Sequence, residues 1–235
     1  MKKLSLFLAL CLISTTLISC GNTETPSDDT AAVTDTEDVN IPVCGGWNIN
    51  PVSAPYTSVA FSKCDPSDDS ITYTPVALLG SHGEGDITYA FLCLGMKDET
   101  SFLSVCIIEN NNGEYSLVSN KPFDLLNYVG EDACVGAEEL TGGWTTVDWG
   151  SSSFDAGEKQ IFESALYMLA GVNYTPIACL ATQVVAGTNH AFLAIGTTMT
   201  MEPIVYPCII SVYEDLEGDC ELLDICAIDI NDFCE

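Results

Sequence analysis

The sequence predicts an α+β protein made of two tandem units, each with one helix laid on an antiparallel sheet. Three observations predict it. The chain repeats itself: Gly45-Gly46-Trp47 returns as Gly142-Gly143-Trp144, Tyr73-Thr-Pro-Val-Ala-Leu-Leu as Tyr174-Thr-Pro-Ile-Ala-Cys-Leu, and Ala90-Phe91-Leu92 as Ala191-Phe192-Leu193. Within residues 154–170, Ile161, Phe162, Ala165, Leu166 and Leu169 share one helical face, and Gly171 stands where a C-cap is expected. After the helix, alternation takes over: Ile177, Cys179 and Ala181 before a turn, Ala191 and Leu193 beyond it. A helix followed by a strand meander buries its faces as a layered α+β arrangement.

Taken in order, the chain begins with Met1-Lys2-Lys3 and an apolar run over 4–17. That run is too short to span a bilayer and reads as a secretory leader over 1–19. It ends in Leu17-Ile18-Ser19-Cys20-Gly21, which resembles a bacterial lipobox. The resemblance implies that Cys20 becomes the first mature residue and carries acyl chains, anchoring the protein in the bacterial cell envelope, at the membrane surface or in the periplasm. Residues 20–40 then form the lipidated cysteine and an acidic tether rich in Thr, Asp and Glu, too polar to build a core.

The first unit is expected over 41–130 and the second over 138–235. They are not equally well formed. Where the second has its helix, the first holds Pro51, Pro55 and Pro66, leaving room for about two helical turns near 56–64.

Charge narrows the possible partners. The chain has a formal net charge of −28 and no arginine. Beyond the leader only Lys63, Lys97, Lys121 and Lys159 are cationic, so the basic stripe that nucleic-acid binding requires is missing.

The most informative stretch is Gln183-Val184-Val185-Ala186-Gly187. It lies at a hairpin reversal, where Gly187 and Asn189 suit positive φ, yet its tip is apolar where turns are normally polar. With the diglycine Gly142-Gly143 and the helix ahead of it, it resembles the Gln-x-Val-x-Gly hairpin of the cystatins. These are protein inhibitors of papain-like cysteine proteases, and the match covers residues 142–230. The resemblance implies a sheet curled around the helix and a wedge of three parts that plugs a protease cleft. On this reading the wedge residues are Gly142, Gly143, Gln183, Val184, Val185, Ala186 and Gly187. Many cystatins carry Pro-Trp at a second hairpin, but no Trp follows Trp149. The expected substitutes are Pro203, beside Glu202, and Tyr206. Trp144 reads as core or as contact. In the first unit His82-Gly83-Glu84-Gly85-Asp86 takes the place of the apolar tip, so that unit is expected not to inhibit the same enzyme.

Other chemistries find little footing. His82 and His190 are the only histidines, and no cysteine or metal-ligand spacing of a catalytic or zinc site accompanies them. The acidic clusters at 65–69 and 214–219 lack calcium-loop spacing and read as solvated turns. No enzyme, cofactor or metal is expected. Cys93 and Cys106 could face each other across strands, although buried thiols also serve as small hydrophobes. The functional expectation is reversible, non-covalent inhibition of papain-like cysteine proteases by the second unit, with membrane attachment through Cys20. The alternative is a cell-surface binding or adhesion module without inhibitory activity.

Overall fold

The computed structural model describes residues 46–49, 60–129, 143–147 and 154–234. By contacts the chain divides into Met1–Val39 and Asn40–Glu235, and all described residues belong to the second unit. The leader, Cys20, the tether, Gly142 and the seam near 130–141 lie outside the described residues.

Among the described residues, nine strands form two antiparallel sheets. The first has the order β1 (Thr72–His82), β2 (Ile87–Lys97), β3 (Thr100–Asn111), β4 (Glu114–Pro122). The second has the order β5 (Thr145–Thr146), β6 (Val172–Val185), β7 (Gly187–Thr198), β8 (Val205–Glu214), β9 (Cys220–Ala227). The expectation of an α+β fold with one helix per unit is therefore corrected, because antiparallel sheet dominates. Among the described residues, helix is confined to α1 (Ala156–Leu166), a helical turn over 60–63 and two short 3-10 turns. The physical reason lies in the strands, which run to 14 residues and are apolar on both faces through their middles, as in Ala178-Cys179-Leu180-Ala181. Such runs need a covering layer on each side.

One of those layers is the other sheet. Leu92 and Val105 of the first sheet join Leu193 and Ile209 of the second in one buried cluster. On the reverse face of the first sheet, Phe91, Cys93, Cys106 and Ile108 pack with Ala60 and Phe61 of the helical turn. The reverse face of the second sheet takes α1, whose Phe162 meets Phe192 edge-on at 5.5 Å. Phe61 meets Phe91 in the same way at 5.8 Å. Helix α1 begins at a capping box, Asp155 accepting from the Glu158 amide at 2.8 Å and Glu158 accepting from the Asp155 amide at 3.0 Å. It is shorter than the 154–170 stretch predicted for it.

The two sheets also share their irregularities. Each first long strand bulges twice, at Val76 and Leu79 in β1 and at Ile177 and Leu180 in β6. Each sheet is closed by an aspartate-capped 3-10 turn, Leu125–Asn127 under Asp124 and Ile230–Phe233 under Asp229. Bulges increase local twist, so matched bulges coil both sheets in the same places. Polar stitches join the halves: the Ser101 and Thr146 hydroxyls bond across, and Lys121 Nζ donates to the Asp232 carbonyl at 3.2 Å.

Candidate functional site

The site grows from the β6–β7 hairpin. Val185 pairs with Gly187, so the reversal is made around Ala186 alone. Gly187 has φ +143°, and a Cβ there would overlap the Glu214 carbonyl oxygen and the Tyr213 ring. Glycine is therefore required, and β8 is drawn up against the turn. Tyr213 Oη donates to the Ala186 carbonyl at 2.7 Å, fixing the tip from the neighbouring strand. One step below, Gln183 is 3 % exposed and its Oε1 accepts from Asn189 Nδ2 at 2.9 Å. Gln183 thus holds the neck of the hairpin and is not a contact surface.

Above that neck the chain is bare. Val184 is 67 % exposed, Ala186 is exposed and Val185 is half-buried. Gly143, the described half of the diglycine, lies on the edge of the same sheet. Thr145 pairs with Thr182 and Thr146 with Ala181, so Gly143, two residues before Thr145, precedes the paired edge near the hairpin. A Cβ on Gly143 would meet nothing within 4 Å, so the fold itself does not demand glycine there. Trp144 packs against the core, and its indole Nε1 is buried without a partner among the described residues.

Pro203 and Tyr206 are not brought to this site. Pro203 lies in the β7–β8 connection and Tyr206 at the start of β8, towards the other end of the 12-residue β7, roughly 30–37 Å away at about 3.4 Å per residue. Pro203 is exposed there. Tyr206 is 4 % exposed, its ring lying over Gly196 and its hydroxyl 3.2 Å from that of Tyr174. The first sheet repeats the device, with Phe102 over Gly95 and edge-on to Tyr73. Tyr206 is a cross-strand packing residue, and its expected role as an anchor is corrected.

The turn that does reach the tip is β8–β9, residues 215–219. Thr188 pairs with Glu214, which sets this turn beside the first. Asp215 organises it, accepting from the Glu217 and Asp219 amides at 2.9 Å each. Leu216 projects from it, 83 % exposed among carboxylates. The sequence does show an apolar residue within an acidic turn, but the acidity alone was read. His190, also nearby, has its Nε2 3.2 Å from Glu214 Oε2 and its ring stacked on Phe192 at 5.7 Å.

Three segments therefore converge on one end of the second sheet: the Gly143 edge, the 184–186 tip and the Leu216 turn. The counterpart end of the first sheet is polar, with His82, Glu84 and Asp86 exposed. Among the described residues no helix is long and apolar enough to cross a membrane. No family model matches the chain, and no curated protein matches it.

Proposed function

We propose that the tip of the second sheet is the contact surface of a reversible, non-covalent inhibitor of papain-like cysteine proteases. What carries the reading is the exposure of Val184 above a neck held by Gln183 and Asn189. An apolar side chain held rigidly in water loses little entropy on docking and gains its full burial energy, about 1.5–3 kcal/mol. Nanomolar binding needs about −12 kcal/mol, so Val184 cannot suffice alone. Leu216 and the open backbone at Gly143 supply neighbouring contacts. The wedge is thus revised to Gly142, Gly143, Val184, Val185, Ala186 and Leu216, with Gln183 and Gly187 shaping it from beneath.

The test is titration of active papain with the purified protein, wild type and Val184→Asp/Val185→Asp. The wild type should inhibit reversibly with no loss of mass from either protein, and the double variant should not inhibit while keeping its circular dichroism spectrum. Equal inhibition by both would end the reading. Binding to papain without inhibition would favour the non-inhibitory surface module. The lipid anchor belongs to the same proposal: labelled palmitate should enter the protein in a bacterial host and be lost with Cys20→Ala.

A further inference from the structure

The two sheets differ where their registers match. In the second, Gln183, Asn189 and Tyr213 stand side by side across β6, β7 and β8. Their polar groups are taken up within that end of the sheet, Asn189 on Gln183 and Tyr213 on the Ala186 carbonyl. The corresponding row of the first sheet is His82, Thr88 and Glu109 across β1, β2 and β3. Thr is smaller than Asn, and Glu smaller than Tyr. Beside this row lies a cleft of about 280 Å³, bounded also by Trp47 and by Asn231 and Cys234 of the C-terminal turn.

The cleft is built of ordered parts. The Trp47 indole N–H donates to Asn231 Oδ1 at 3.2 Å, and its ring lies 5.9 Å from that of His82. Glu109 is half-buried, and its carboxylate has no hydrogen bond or ion pair among the described residues. Among the described residues, no lysine lines the cleft.

We propose that this cleft binds a small organic ammonium ion, with the ammonium group on the Glu109 carboxylate and the apolar body against Trp47. A carboxylate partly withdrawn from water without a partner is costly, and a charge-assisted hydrogen bond from an ammonium offsets that cost. The net charge of −28 concentrates cations near the surface and repels anions. The volume lies just below the usual range of ligand sites, about 300–1,000 Å³, which limits the ligand to a compact amine. The argument is independent of the protease reading, since none of the residues lining the cleft belongs to the 184–186 tip or the Leu216 turn.

Calorimetric titration of the purified protein with phenethylamine tests it, with phenethyl alcohol and phenylacetate as neutral and anionic counterparts of the same shape. Phenethylamine should bind saturably at one site, and both counterparts about tenfold or more weaker. Glu109→Gln should weaken the amine by a similar factor. Thr88→Asn with Glu109→Tyr, which installs the second sheet's residues, should abolish binding, with circular dichroism checking the fold. The proposal is overturned if the alcohol binds as tightly as the amine on the wild type, or if folded Glu109→Gln retains full affinity. Absence of saturable binding up to about 10 mM overturns it too.

Discussion

Tyr213 and Ala186 belong to successive hairpins, and the Tyr213 hydroxyl donates to the Ala186 carbonyl at 2.7 Å. The bond ties the apolar tip to the strand that leads into the Leu216 turn. Its neighbour Gly187 lets the strands approach closely enough for it to form. Rigidity at the tip is therefore a product of two hairpins, and each part of it can be removed separately.

Tyr213→Phe removes the hydroxyl and keeps the ring. The loss of one hydrogen bond should cost about 0.5–1.5 kcal/mol in urea unfolding. If the tip is the protease contact, the complex with papain should dissociate about 3–10-fold faster with little change in association rate, because loosening a docked surface acts on dissociation. Surface plasmon resonance separates the two rates.

Asn189→Leu leaves the Gln183 amide buried with no partner. The expected cost is about 1–3 kcal/mol, the penalty of an unsatisfied buried polar group. Changing Gln183 to Leu as well should restore part of it, since both polar groups are then gone. A double-mutant cycle in urea should therefore show clear non-additivity between these two positions.

Gly187→Ala tests the turn itself. With φ at +143° and the Glu214 carbonyl in the way, the added methyl forces the strands apart. A cost of about 1–3 kcal/mol is expected, together with loss of the Tyr213–Ala186 bond. Amide hydrogen exchange should quicken at residues 184–188 and remain slow in the first sheet.

Much of the strand layout was legible because alternation and turn residues report directly on half-buried β structure. The Phe91 and Phe192 anchors and the paired Tyr-Thr-Pro segments fell in matching strands for that reason. The sheet-on-sheet core was harder to see. A run such as Ala178-Cys179-Leu180-Ala181 announces burial on both faces without saying what covers them, and α1 accounted for only one face. The misplacement of Pro203 and Tyr206 has a simpler cause. In an antiparallel meander, consecutive turns alternate between the two ends of the sheet, so the turn beside 184–186 has to be the one after next. Strand counting would have pointed to 215–219, and to Leu216 as its one apolar residue. Gln183 was legible as a positioning amide. Its partner Asn189 was read only as a turn residue.

Burial also writes a pH dependence into the fold. Cys179 lies across from Phe192 and Cys208 from Ala194, and burial pushes both thiols from the ordinary 9.0 up to about 12. Burial likewise raises Tyr128, from 10.0 to about 12. In each case the folded state holds its proton to higher pH than the unfolded chain does. The sign follows: the contribution is fully present below the unfolded values and is lost as pH rises through them towards the folded ones. In the presence of reductant, the unfolding free energy from urea titration should be nearly flat between about pH 7 and 8. It should then fall by about 1.4 kcal/mol per pH unit for each thiol. Cys179→Val with Cys208→Val should lessen the fall that begins near pH 9, the remainder coming from other thiols raised by burial, Cys93 foremost, and later from tyrosine. Alkylation of the native protein at about pH 8 gives a second readout, because only a thiolate in reach of solvent reacts. Peptide mass spectrometry should find Cys64 and Cys220, which are half-buried, modified well before Cys179 and Cys208.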